Sequence, residues 1–148
     1  MYIMTIEKLR EMVEKDTVLN DLELDREAIR IPSLHGKYLG ILLDEKMLYR
    51  KLEKDYQEEL KFKWEYFTGK TDSATLLKRN LDPFPLKILK NDLDLYINAD
   101  TILSELNLKV KLQQYKIEYL EGVIKELNNR QWVIRSIIDW RKFTNGVN

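Results

Sequence analysis

The strongest chemical signal lies in the middle of the chain, in the run Leu60-Lys61-Phe62-Lys63-Trp64-Glu65-Tyr66-Phe67-Thr68-Gly69-Lys70, where cations alternate with aromatic rings. Lysine ammonium groups pair with phosphate oxygens and aromatic faces stack on unpaired bases, a mixture suited to single-stranded nucleic acid. On a helix, with about 100° between successive residues, Lys63, Tyr66 and Phe67 share one side, and Lys70 follows on that side just past the helix end. Leu60 and Trp64 fall on the apolar side, and Lys61 lies one turn before Glu65, within reach of a surface ion pair. Aromatics at a helix end also serve as core with lysines solvating them, and the residue types alone leave both readings open.

Other reactive-looking residues do not assemble into sites. Gly69-Lys70-Thr71 copies the tail of a phosphate-binding loop, but the glycine required five residues earlier is Trp64, and a helix rather than a strand precedes it. A helix C-terminus also repels phosphate through its dipole. Glu59-Leu60-Lys61 matches a nuclease fragment but falls inside a helical pattern instead of on a strand. Asp92, Asp94 and Asp100 suit capping or solvation better than a cation site. His35 is the single histidine and cysteine is absent, so Ser–His–Asp and thiol chemistry have no basis. The expectation is a protein that is not an enzyme, with no cofactor and no metal.

Composition narrows the partners. Lys+Arg and Asp+Glu both number 25, which excludes a uniformly basic coat but not a local patch. The imbalance is local: residues 61–90 hold seven basic side chains against three acidic, whereas residues 1–31 hold five against eight. With 44% hydrophobic residues, 5 Gly and 3 Pro, the chain is too apolar for disorder and too poor in breakers for a short-stranded sandwich. No signal peptide and no apolar stretch of membrane length is visible, so a soluble intracellular chain with no membrane association is expected.

The elements that position the central run are helical. Thr5 caps a first helix to about Lys15, with Ile6, Leu9 and Val13 at helical spacing. Residues 16–31 read as a connection, with Ile29-Arg30-Ile31 briefly extended before Pro32. A long helix is predicted from Pro32 to about Thr68, stopped by Gly69. Residues 70–82 read as a mobile connection, and 86–98 as ambiguous. From about Asp100, Leu103, Leu106, Val110, Gln113, Ile117, Leu120, Ile124 and Leu127 step by alternating threes and fours, the spacing of a coiled-coil seam. Asn128-Asn129 marks a break, and a last helix over Arg130–Phe143 buries Val133, Ile134, Ile137 and Trp140. The fold class is thus mainly α, a long helical hairpin plus a C-terminal helix. One helical domain is expected over 1–148, divided at 1–31, 32–69, 70–99 and 100–148. Its apolar faces exceed what one chain covers, which favours a homo-oligomer over a monomeric bundle.

At the central run the chain resembles the UvsY family, recombination mediators of T-even-like bacteriophages. That family carries Leu-Lys-Ala-Arg-Leu-Asp-Tyr-Tyr-Ser-Gly where this chain has Leu60 to Gly69, with Lys61 and Lys63 on the two basic positions. A second likeness runs from Arg130 to Gly146, against the family pattern Arg-Gly-Phe-Ala-Ile-basic, then Ile-Gln-Asp-Met-Arg-x-Phe and a terminal glycine. The resemblance is weak over 70–100, where this chain carries an apparent insertion. It implies a ring of six or seven subunits in the host cytoplasm that binds single-stranded DNA, remodels the phage single-strand-binding protein and loads a RecA-like recombinase. It assigns DNA contact to Lys61 and Lys63, and the run adds Tyr66, Phe67 and Lys70. It assigns assembly to the C-terminal segment, where Trp132, Ile134, Ile138 and Trp140 fit an interface. The rivals are a coiled-coil scaffold or holdase with no nucleic-acid role and a small duplex-binding regulator.

Overall fold

The computed structural model describes residues 3–146, which form five helices and, among the described residues, no strand: α1 (Ile6–Asp16), α2 (Leu24–Phe67), α3 (Ser73–Lys78), α4 (Leu93–Ala99) and α5 (Thr101–Thr144). Contacts divide the chain into two compact units. One joins the residues up to Lys46 with those from Tyr115, and the other is Met47–Gln114. Both 44-residue helices run through both units.

In the first unit, Thr5 opens α1 as expected, its hydroxyl accepting the Lys8 N–H at 3.3 Å. Leu9 and Val13 are buried, with Leu24, Leu34, Tyr38 and Leu42 of α2 and Ile117, Leu120, Val123, Leu127 and Ile134 of α5. Lys116 of α5 pairs with Glu45 of α2 at 3.0 Å and donates to the Met4 carbonyl at 2.6 Å, so one ammonium links α2, α5 and the lead into α1.

At the end of α1, Asp16 ties the chain to α2. Its carboxylate accepts from Lys37 Nζ at 2.6 Å and from the Tyr38 hydroxyl at 2.8 Å, while its carbonyl accepts from Arg30 at 3.1 Å. Partial burial works against the Asp16 charge, but the hydrogen bonds from Lys37 and Tyr38 and the nearby cations prevail, and its pKa is lowered. Burial first, then the Asp16 carboxylate, push the Tyr38 hydroxyl well above its usual range.

Two expected breaks do not occur. The connection expected over 16–31, with an extended Ile29-Arg30-Ile31, is helical from Leu24, and Pro32 lies inside α2. An interior proline costs about 3 kcal/mol, but burying Leu24 and Leu34 returns about 1.5–3 kcal/mol each. Arg30 holds the preceding turn as well, pairing at 3.0 Å with the buried Glu27. The break at Asn128-Asn129 is absent too, and α5 continues to Thr144, so no separate C-terminal helix forms. Asparagine costs a helix only about 0.7 kcal/mol. Buried Leu127 and Ile134 flank the pair, and Arg130 donates to the Thr17 carbonyl. Of the four side chains expected to be buried beyond that break, Ile134 is buried and Ile137 half-buried, whereas Val133 and Trp140 are exposed.

The predicted seam of α5 is observed. Leu103, Val110, Gln113, Ile117, Leu120 and Leu127 are buried, and Leu106 and Ile124 are half-buried. In the second unit, residues 70–82 are more ordered than their polarity suggests, because Asp72 caps α3 by accepting the Thr75 N–H at 2.7 Å. The ambiguous stretch ends in helix α4.

Candidate nucleic-acid interface

The central run closes α2. Gly69 has φ +72°, its N–H donates to the Tyr66 carbonyl at 3.2 Å, and the Lys70 N–H returns to the Glu65 carbonyl at 2.8 Å. This left-handed glycine stop turns the chain sharply and brings Lys70 back against the last turn of the helix.

The two faces of this turn are used in the opposite sense to the sequence expectation. The side carrying Lys63, Tyr66 and Phe67 points into the second unit. Phe67 is buried, with ring centroids 5.1 Å from Phe84 and 5.8 Å from Tyr96. Tyr66 joins the same cluster, 5.5 Å from Phe84 and 5.9 Å from Phe62, and its hydroxyl donates to the Asp82 carbonyl at 3.1 Å. Lys63 Nζ lies 3.0 Å from Asp100, and both side chains are only 11% exposed. Asp100 also caps α5, accepting the Leu103 N–H at 2.9 Å. Lys63, Tyr66 and Phe67, three of the five residues expected to contact DNA, are thus packed within the second unit.

Lys61, Trp64 and Lys70 form the exposed side. Lys61 is exposed and without an ion pair among the described residues. Trp64 stands one turn further along and is 40% exposed, although its spacing had assigned it to the apolar side. Lys70 is exposed and sets its ammonium 4.5 Å over the Trp64 ring, a cation–π contact. The surface is a row of cation, aromatic ring and cation.

Sequence reasoning missed the supports that lie far away in the chain. Phe84 lies between Pro83 and Pro85, and its ring packs edge-on against Tyr66, Phe67 and Tyr96. Arg79 lies 3.5 Å over the Phe62 ring and pairs with Glu59 at 3.0 Å. An aromatic between two prolines was the available signal for Phe84; nothing in the sequence pairs Arg79 with Glu59.

Among the described residues, no cluster of His, Cys, Asp or Glu could hold a metal ion, and no helix is long and apolar enough to cross a membrane. At the end of α5, Trp132, Ile138, Trp140 and Phe143 are exposed, whereas Ile134 belongs to the chain's own core.

The family model for the "recombination, repair and ssDNA binding protein UvsY" matches residues 12–147. This chain belongs to the UvsY family. It is similar to the recombination protein UvsY of Enterobacteria phage T4, with 22% identity over 144 residues that cover 97% of this chain and 99% of that one. Crystal structures of the bacteriophage T4 recombination mediator protein UvsY share the fold. One superposes with a TM-score of 0.84 at 22% identity over 97% of this chain and 99% of that one. Another gives 0.83 at 20% identity over 95% and 99%. The UvsY family is thus one of recombination, repair and single-strand binding, and the exposed row lies on the turn that carries the family-like motif.

Proposed function

We propose that this protein is a recombination mediator: it binds single-stranded DNA through the end of α2 and helps load a RecA-like phage recombinase onto strands covered by single-strand-binding protein. The observation that carries the DNA part is the row Lys61–Trp64–Lys70, exposed on a turn whose reverse side is fixed by the Lys63–Asp100 pair and the aromatic cluster. A rigid base keeps the cations in register with a phosphate backbone and limits the entropy lost on binding. Lysine contributes a point charge without a planar fork, which suits sequence-neutral phosphate contact.

Loading and displacement are supported by family membership and by physical reasoning. One such row binds weakly, and several in a homo-oligomer multiply it through effective concentration. Exposed Trp132, Ile138 and Trp140 supply apolar surface for self-association, in a ring of six or seven subunits in the host cytoplasm. A strand bent along several rows is drawn away from the single-strand-binding protein and offered to the recombinase.

The test is oligo-dT binding by fluorescence anisotropy over a salt series, on material of known mass. Lys61→Ala/Lys70→Ala is expected to weaken binding and make the salt slope shallower by about 0.7 per lost contact, with the mass unchanged. Unchanged binding in that variant, or a wild type that ignores oligo-dT at low salt, would overturn the reading.

A further inference from the structure

We propose that Trp64 is a base-stacking platform, so that the site takes unstacked nucleobases and does more than follow a line of phosphates. The inference rests on the single-strand reading above and names the part of the strand that the site recognises.

Four observations carry it. First, the ring is not needed to fill the core: Phe62 and Phe67 are buried on the same turn, while Trp64 remains 40% exposed. Second, Tyr66, the neighbouring ring that is not fully buried, is already engaged with Phe62 and Phe84, so Trp64 is the ring of this run left to solvent. Third, Lys70 Nζ stands 4.5 Å over the ring, holding a cation against one face of the indole and leaving stacking to the other. Fourth, Lys61 stands one turn away, exposed and free of an ion pair among the described residues. A nucleotide presents a base face and a phosphate together, and this surface offers a partner for each. Bases in a duplex are covered by their neighbours, so a stacking site selects single strands. Every base has such a face, so no sequence preference follows.

The experiment compares full-length protein on oligo-dT and on an abasic oligomer of equal length, which keeps the phosphates and lacks the bases. The wild type is expected to favour oligo-dT by roughly fivefold or more, the lower end of what one stacked base contributes. Trp64→Ala is expected to bring that ratio close to one, and Trp64→Phe to retain most of it, with helicity by circular dichroism unchanged in both. Lys61→Ala/Lys70→Ala is expected to weaken both oligomers and leave the ratio standing. If Trp64→Ala keeps the wild-type ratio, the stacking proposal is overturned while the single-strand reading survives through the lysine variant. If the wild type binds neither oligomer at low salt, both fall.

Discussion

Lys63 Nζ and the Asp100 carboxylate stand 3.0 Å apart, each side chain 11% exposed, joining the last turn of α2 to the first residue before α5. Asp100 simultaneously caps α5 through the Leu103 N–H. A lysine in a motif that looks made for phosphates is thus committed to holding two helices together, and the free cations are its neighbours.

Lys63 and Lys61 are accordingly expected to separate in mutation. Lys63→Ala leaves Asp100 largely buried without its counter-charge, and breaking a pair of this kind costs about 3–5 kcal/mol when fully buried, somewhat less here. Lys61→Ala removes an exposed side chain and should change stability by about 0.5 kcal/mol or less. Urea denaturation and oligo-dT binding, measured on both, should show stability falling with Lys63→Ala and salt-sensitive affinity falling with Lys61→Ala. The reverse pattern would remove Lys63 from the supporting role.

Lys116 and Glu45 form the more enclosed pair, with side chains 7% and 8% exposed. Lys116→Met removes the ammonium that pairs with the buried Glu45 carboxylate and donates to the Met4 carbonyl. Thermal unfolding should show a loss of about 3–5 kcal/mol. The double variant Lys116→Met/Glu45→Leu should recover much of it, because two apolar side chains need no partner.

Asp16 makes stability depend on acid. Its pKa in the fold lies below its usual value because Lys37 and Tyr38 stabilise the carboxylate against partial burial. A depressed carboxyl contributes stability that is present above the unfolded-state pKa and is lost as pH falls through the folded-state value. Denaturation midpoints measured from pH 6 downward should therefore fall below about pH 4. Asp16→Asn should flatten the part of that decline due to Asp16. An equal slope in the variant would assign it to other carboxylates.

The end of α5 divides into core and surface. Ile134 is 3% exposed, whereas Trp132 and Trp140 are 60% and 65% exposed. Trp132→Ala/Trp140→Ala is expected to lower the mass seen by light scattering with helicity retained. Ile134→Asp is expected to lose helicity together with any change in mass, since it places a charge in the chain's own core. A double tryptophan variant with wild-type mass would move the assembly surface elsewhere.

Much was legible in the sequence because helices announce themselves locally. The Thr5 cap, the Gly69 stop and the alternating three- and four-residue steps from Leu103 to Leu127 depend on neighbours within a turn or two, and each appears in the fold. Pro32 and Asn128-Asn129 misled for the same reason. Their local preferences are worth a few kcal/mol at most, and burial of Leu24, Leu34, Leu127 and Ile134 outweighs them.

By itself the sequence determined the helical class, the long apolar seam of α5 and the basic–aromatic turn, all set by residue type and short-range spacing. Only the tertiary structure decided which side of that turn faces outward. Helical periodicity assigns residues to faces but does not say which face another element will cover. That choice was made by Phe84, Tyr96 and Asp100, which lie 17 to 37 residues beyond Phe67 and Lys63 in sequence and press against one side of the turn. Their contacts draw Lys63, Tyr66 and Phe67 inward and leave Lys61, Trp64 and Lys70 to solvent.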